Sequence, residues 1–362
     1  MRMGDCEADR VGCPRLPVCV TMSTWVISLA VVVVVLVAVW PNHGQLARWR
    51  MGRRLAARVR REDALKHLLK AEANSQPASL ESVAGAVEIR RGAATELLAD
   101  MDRRGLVSFE HGDLRLRPSG RELALHVIRT HRLWERHLAE NTGVDEREWH
   151  RRAEREEHRL SPEQTAALAA ALGNPELDPH GDVIPVPGGT LPPEPGQPLG
   201  ALAPNAVARI VHVEDEPQVI YAQLTAQGIR PGMSLCVLEK SPQRIRFWAD
   251  GREHVLAPML ANNISVALLP EYQPSDLFEE QYLASLEPGQ QARILSLSPA
   301  CRGAERRRLL DLGFVPGTVV LAELASPGGD PTAYRVRETS VALRREQASL
   351  IRITAATAAP VS

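Results

Sequence analysis

No Cys-x-x-Cys pair occurs in the chain, and its five cysteines are scattered, with Cys6, Cys13 and Cys19 near the start and Cys236 and Cys301 far away. That spacing excludes a thiolate zinc site and a disulfide framework and fits a reduced compartment. A phosphate-binding glycine loop, a nucleophile–base pair and a cofactor motif are also missing, so an enzyme is not expected. Net charge is nearly absent, −1 over 362 residues. The balance hides a basic run, LARWRMGRRLAARVRR, from Leu46 to Arg61. Hydrophobic content of 44% supports real cores, and the length calls for about two to four domains.

Charge is missing altogether from MSTWVISLAVVVVVLVAVW, Met22 to Trp40. At about 1.5 Å per residue this run reaches about 28 Å, close to the hydrocarbon thickness of a bilayer. Trp25 and Trp40 stand near its ends as interfacial aromatics do, and Arg48, Arg50, Arg53 and Arg54 follow. The positive-inside rule then predicts a single-pass cell-membrane protein with its C-terminal domains in the cytoplasm. Competing readings are a cleaved signal peptide and a start at Met22 rather than Met1. Against the former, no small-x-small site follows and the arginines flank the wrong side.

From Glu62 the pattern is helical, with Leu65, Leu68 and Leu69 on one stripe. SLESVAGAV follows, where Ser79 and Ser82 make only a partial cap and Glu81 favours a helix N-terminus. RRGAATELLADMDRRG reads as a second helix closed by Gly105, and LVSFEHGDLRLRPSG alternates around His111-Gly112-Asp113 as a hairpin does. Helix, turn, helix and hairpin make a winged helix-turn-helix. Its second helix would enter the major groove of double-stranded DNA with Arg90, Arg91, Gly92, Ala93 and Thr95 leading. The alternative is a small helical core with exposed arginines.

Further on, HRLWERHL carries His131 and Glu135 four residues apart, a spacing that also serves ordinary surface contacts. WHRRAEREEHRLSPE carries His150, Glu154, Glu157 and His158. Their offsets place the four within about a 100° arc of one helix face. Two imidazoles and two carboxylates on one face have the composition of a divalent-metal site, and equally of solvated ion pairs.

The order of winged helix, HRLWERHL, WHRRAEREEHRLSPE and NPELDPHGDVIP, over residues 60 to 187, resembles the diphtheria-toxin-repressor family of metal-dependent transcriptional regulators. The resemblance implies a dimeric repressor of iron or manganese homeostasis. Its metal ligands would be Asp63, His131, Glu135, His150, Glu154, Glu157 and His158. The family's iron-sensing branch has cysteine where this chain has Glu154 and methionine where it has Asp63. An all-nitrogen-and-oxygen set suits Mn²⁺ or Fe²⁺. The manganese branch has a second glutamate where this chain has Lys66, a cation that would repel a second ion or replace its charge. The recognition helix departs from the family as well. Arg90, Gly92 and Glu96 stand where the family has a small residue, a proline and a glutamine, so its operator preference does not transfer. Glu96 could repel phosphates or accept from cytosine N4.

After a Pro/Gly stretch, GGTLPPEPGQPLG, the chain repeats itself. LAPNAVARIV from Leu202 matches LEPGQQARIL from Leu286, and Gly228, Pro231 and Gly232 recur as Gly313, Pro316 and Gly317. Each unit reads as short strands with one small helix, an SH3-like barrel. The second resembles FeoA proteins, which are associated with ferrous-iron transport, and the first does so more weakly. Neither shows a cluster of histidine, cysteine and carboxylate residues. They are expected as protein–protein modules, with a purely structural role as the alternative.

The expected fold class is multidomain α+β. In order it has an extracytoplasmic segment (1–21), a transmembrane helix (22–41), a basic juxtamembrane linker (42–61) and a winged helix-turn-helix (62–119). A metal-binding and dimerisation domain (120–187), a linker (188–200) and two FeoA-like barrels (201–270 and 279–354) follow. The expected partners are DNA, a second copy, the membrane and a ferrous-iron transporter. A metal-sensing transporter accessory without DNA binding is the alternative function.

Overall fold

The computed structural model describes Ile27, Leu29 and residues 45–110, 113–193, 195–278 and 281–358. Among the described residues no helix is long and apolar enough to cross a membrane. The two longest, of 29 and 24 residues, are laced with arginine and glutamate, side chains that are costly at a bilayer centre. The span expected over 22–41 lies outside the described residues apart from Ile27 and Leu29, as does the whole segment 1–21. The transmembrane helix is therefore removed from the fold class, and the single-pass membrane placement that rested on it is withdrawn.

Contacts divide the chain at Arg61 and Glu62. Helix α1 (Gln45–Ala73) begins 17 residues before the expected Glu62, because the arginine-, leucine- and alanine-rich run is made of strong helix formers. From Glu62 onward its buried Leu65, Leu68 and Leu69 join a core with Val83, Leu98 and Met101. Val83 comes from α2 (Leu80–Ala86), and Leu98 and Met101 from α3 (Arg91–Arg103). The cap of α2 is complete rather than partial. The Ser82 N–H donates to Oγ of Ser79 at 3.0 Å and the Ser79 N–H donates to Oγ of Ser82 at 2.9 Å, since a hydroxyl can take the role that a carboxylate usually plays. Strands β1 (Val107–Glu110) and β2 (Asp113–Leu116) pair antiparallel, Val107 opposite Leu116. The turn residues His111 and Gly112 lie outside the described residues.

Helix α4 (Pro118–Asn141) serves two regions. Leu125 and Ile128 pack into the winged-helix core, while His131 and Glu135, about one and two turns beyond Ile128, are buried elsewhere. Helices α5 (Trp149–Glu157) and α6 (Pro162–Ala171) lie against it.

The duplication is visible in topology. Strands β3 (Gln197–Pro198), β4 (Val207–Val213), β5 (Ser234–Lys240), β6 (Ile245–Ala249), β7 (Arg252–Leu256) and β8 (Ile264–Leu268) form an antiparallel sheet ordered β3-β8-β4-β5-β6-β7. Strands β9 (Gln281–Tyr282), β10 (Gln290–Leu297), β11 (Val319–Ala325), β12 (Thr332–Val336), β13 (Thr339–Leu343) and β14 (Ile351–Ile353) repeat that order as β9-β14-β10-β11-β12-β13. A short β15 (Thr357–Ala358) adds to β10. Helix α7 (Gln218–Ala226) recurs as α8 (Gly303–Asp311), and the turn glycines keep left-handed backbone, φ +69° and +93° at Gly228 and Gly232 against +95° and +89° at Gly313 and Gly317. The end of the segment expected as linker is part of the first sheet, as Gln197 pairs with Val266 and Leu199 is wholly buried.

Candidate metal centre

The seven expected ligands separate into neighbouring groups. In one, Nε2 of His158 is 3.2 Å from Oδ1 of Asp63 and 3.3 Å from Oε1 of Glu157, while its Nδ1–H donates to Oε2 of Glu62 at 2.7 Å. Helix α1 brings Asp63 there because its leucines face the opposite way, into the winged-helix core, while Glu62, about one and two turns before Leu65 and Leu69, is buried beside the leucine stripe. Lys66, one turn on, donates to both oxygens of Glu157 at 3.1 and 3.3 Å. Burial works against ionising Glu157, but Lys66 and His131 outweigh it and hold the carboxyl at about 2. His158 behaves conversely. Burial disfavours its charge, and the hydrogen bonds to Asp63 and Glu62 nevertheless push it up to about 9.

The second group is His131, Glu135, His150 and Asp215, and a third set, Glu135, Asp178 and His180, shares Glu135 with it. His131 donates from Nδ1 to Glu157 at 2.5 Å and from Nε2 to Glu135 at 3.0 Å, the protons being assigned from these acceptor partners. It thereby bridges the first group to the second. Glu154 does not join Asp63, Glu157 and His158. It is half exposed and faces Nε2 of His150 at 3.4 Å, in a set completed by Glu216. A 100° arc is wide enough to serve two sites, and α5 divides its face between them.

Four ligand-type residues were not anticipated. Asp178 and His180 belong to the DPHGDVIP stretch, where an Asp-x-His spacing has no helical period to mark it. The Oδ1 of Asp178 accepts the N–H groups of His180 and Asp182, which folds the loop and turns the side chain inward. Asp215 and Glu216 come from the acidic run Glu214-Asp215-Glu216 directly after β4. That corrects the expectation that neither barrel carries a ligand cluster, because the first barrel contributes two carboxylates to this centre.

The donor geometry fits a cation. His150 is 2.6 Å from Asp215 and 3.3 Å from Glu135 at Nδ1, and 3.2 Å from Glu216 at Nε2, yet neither ring nitrogen is aligned in a hydrogen bond. His180 is fully buried with both nitrogens unpartnered. Its Nδ1 is 3.6 Å from Glu135, 3.8 Å from Asp215 and 3.9 Å from Asp178, whose Oδ2 is also unpartnered. Ligand atoms at about 2.1–2.2 Å from one ion stand about 3.0–3.6 Å apart. Buried polar atoms are otherwise nearly always paired, so atoms that converge on a shared space without pairing suit an ion. Burial disfavours charge on His180, but Glu135 outweighs it and raises the imidazole to about 10. Burial and then Asp182 raise Asp178 to about 7. Among the described residues no cysteine joins the site, since Cys236 and Cys301 are buried within the barrels.

At the other end of the winged helix, Arg90, Arg91, Gly92, Thr95 and Glu96 are all exposed around the N-terminus of α3. Arg91 pairs with Glu81 across the solvent at 3.2 Å, and Oγ1 of Thr95 donates to the Arg91 carbonyl.

Residues 117–186 match the family profile of the iron dependent repressor metal-binding and dimerisation domain, and residues 282–355 match the FeoA domain. The diphtheria toxin repressor of Corynebacterium glutamicum is 32% identical over 183 residues, 48% of this chain and 80% of that protein. A solved manganese-dependent transcriptional repressor in complex with manganese superposes with a TM-score of 0.53 at 30% identity, over 57% of this chain and 99% of that one. A fusion of Fe(2+) transport protein A and Fe(2+) transporter FeoB from Porphyromonas gingivalis is 38% identical over 71 residues, 20% of this chain and 8% of that protein.

Proposed function

The chain belongs to the diphtheria toxin repressor family, and from that premise we propose that it is a divalent-metal-dependent, DNA-binding repressor of iron or manganese homeostasis acting as a homodimer. Residues 62–119 are the DNA-reading module, residues 120–187 the metal-binding and dimerisation module, and 201–270 and 279–354 the two FeoA-like barrels. One observation carries the reading. The candidate centre is built from α1, α4, α5, the 178–182 loop and the first barrel, and α1 and α4 are also core helices of the winged helix.

The ion is Mn²⁺ or Fe²⁺, matched to a nitrogen-and-oxygen donor set. Asp63, Glu157 and His158 would hold one ion, while Glu154 stands apart with His150 and Glu216. Glu135, His131, His150, Asp178, His180 and Asp215 would hold another. Bound there, the ion supplies positive charge that offsets the clustered carboxylates. The protein's own part is positional. With Asp63 and Glu157 drawn together, α1 and α5 are fixed relative to each other, and so is the α3 helix packed on α1. The two α3 helices of a dimer then present a set spacing to DNA, a population shift toward the binding-competent arrangement. Arg90 and Arg91 meet phosphates or guanine edges, Gly92 and Thr95 allow close approach, and Glu96 faces cytosine N4 or excludes other bases.

The test is a genomic DNA pull-down with the full chain in Mn²⁺, in anaerobic Fe²⁺ and in chelator. Metal-dependent enrichment of a two-fold-symmetric site is expected, and the more effective ion identifies the signal. The FeoA match at residues 282–355 favours a second reading, an accessory to a ferrous-iron transporter. Folded, metal-binding protein that enriches no DNA with either ion would select that reading instead.

A further inference from the structure

The loop that carries Asp178 and His180 is held from both sides. On the first-barrel side, the Val213 N–H donates to the His180 carbonyl at 2.9 Å, and a Cβ on Gly181 (φ +97°) would come within 1.9 Å of the Val211 carbonyl oxygen. On the second-barrel side, Nη1 of Arg302 donates to the carbonyl of Pro179 at 3.0 Å. Pro179 lies between Asp178 and His180, so Arg302 holds the Pro179–His180 peptide, one of the two that link these ion-facing side chains. The guanidinium is itself steadied by the Pro299 carbonyl, 3.2 Å from Nε.

Arg302 does not act alone. It immediately precedes α8, whose first residue, Gly303 (φ +55°), lies so close to α4 that a Cβ there would be 2.9 Å from the Ala139 carbonyl oxygen. Arg307 donates to the carbonyl of Glu140. Ala139 and Glu140 are in the last turn of α4, where carbonyls have no partner within the helix. The positive end of α8 thus meets the negative end of α4. Beside these contacts lies a cavity of about 590 Å³ lined by Arg136, Cys301 and Arg306. These contacts lie at the rim of that cavity.

We propose that the second barrel is a clamp on the ion-binding loop, with Arg302 as the positioning residue. Seating of α8 against α4 and occupancy of the Glu135, Asp178, His180 and Asp215 cluster favour each other. This rests on the reading of that cluster as an ion site. Because coupling between two binding events is reciprocal, disturbing the seat weakens the ion and removing the ion loosens the seat.

The experiment uses the full chain and Mn²⁺ alone. Ion binding is measured by electron paramagnetic resonance of free Mn²⁺ and isothermal titration, and amide hydrogen exchange is followed across residues 303–311. The double variant Asp178→Ala, His180→Ala identifies the ion in question. Arg302→Ala is expected to weaken that same ion about tenfold or more. Arg302→Lys, which still donates to Pro179, should restore most of the affinity. Gly303→Val leaves Arg302 intact and wedges α8 off α4, so it should weaken the ion as Arg302→Ala does. In the wild type Mn²⁺ should slow exchange in 303–311, and in the double variant it should not. If the double variant binds as many ions as tightly as wild type, the cluster is not an ion site. If it loses an ion while Arg302→Ala and Gly303→Val bind like wild type and exchange in 303–311 ignores Mn²⁺, the clamp is wrong and the ion site stands.

Discussion

Lys66 is the residue with the plainest consequence. Its ammonium sits among Glu157, Glu154 and Glu135, and its pKa is raised because these carboxylates outweigh the cost of burial. A fixed cation 3.1 Å from Glu157 does part of what a further ion beside that carboxylate would do. Lys66→Glu should therefore bind more Mn²⁺ per chain than wild type, counted by electron paramagnetic resonance of the free ion. The same change should destabilise the ion-free protein by about 3–5 kcal/mol, the usual effect of leaving a buried charge unpaired. An unchanged count would mean that Lys66 does not occupy an ion's place. The imidazoles supply a second prediction. A coordinating histidine must be neutral, yet His158 is raised from an ordinary 6.5 to about 9. Its charged pairing stabilises the ion-free fold fully below about pH 6.5 and is lost as pH rises through about 9. Mn²⁺ competes with that proton, so affinity should rise with pH across the same window. Titration at pH 7 in buffers of different ionisation enthalpy should show net proton release, and its absence would exclude His158 as a ligand.

At the scale of elements, two helices do double duty, and this decides what was legible in sequence. Leu65, Leu68 and Leu69 mark the core stripe of α1 and Asp63 the opposite face, so both are readable from helical period, whereas Glu62, on the leucine side, was not anticipated as a partner of His158. The i,i+4 pair His131 and Glu135 and the pair Glu157 and His158 were readable for the same reason. Asp178 and His180 were not, because a loop has no period and their inward turn depends on hydrogen bonds to Oδ1 of Asp178. Asp215 and Glu216 were hidden by distance along the chain, since only the docking of the first barrel brings them to His150. Glu154 was misplaced because a helical wheel gives direction but not which of two neighbouring groups a side chain joins. The cap of α2 was underrated on residue type alone, and it carries its own test. Ser79→Ala removes the acceptor for the Ser82 N–H and should cost about 1 kcal/mol. Denaturant unfolding of the ion-free chain checks this, and a cost no larger than that of an exposed Ser→Ala control would mean that water replaces the cap without loss.

For the whole molecule, the duplicated barrels are alike in strand order but not in chemistry. The first donates Asp215 and Glu216 to the candidate centre and holds Glu146, just before α5, through the Tyr221 hydroxyl at 2.7 Å and Arg230 at 2.7 Å. In the second, the turn at the matching place supplies Arg302 in place of carboxylates. Once an ion is held jointly by α4, α5 and the first barrel, their stabilities become linked. A ligand at about 100 times its Kd adds about 2.7 kcal/mol to the state that binds it, and that increment is shared by every element contributing a ligand. Scanning calorimetry of the full chain in chelator and in saturating Mn²⁺ should therefore show the first barrel's melting moving upward with the ion. In Asp215→Ala the α4–α5 region should still respond to Mn²⁺, through Asp63, Glu157 and His158, while the first barrel should melt at its ion-free temperature. A first barrel that follows the ion equally in both proteins would mean that the Tyr221 and Arg230 contacts to Glu146 transmit the stabilisation and that Asp215 contributes only charge.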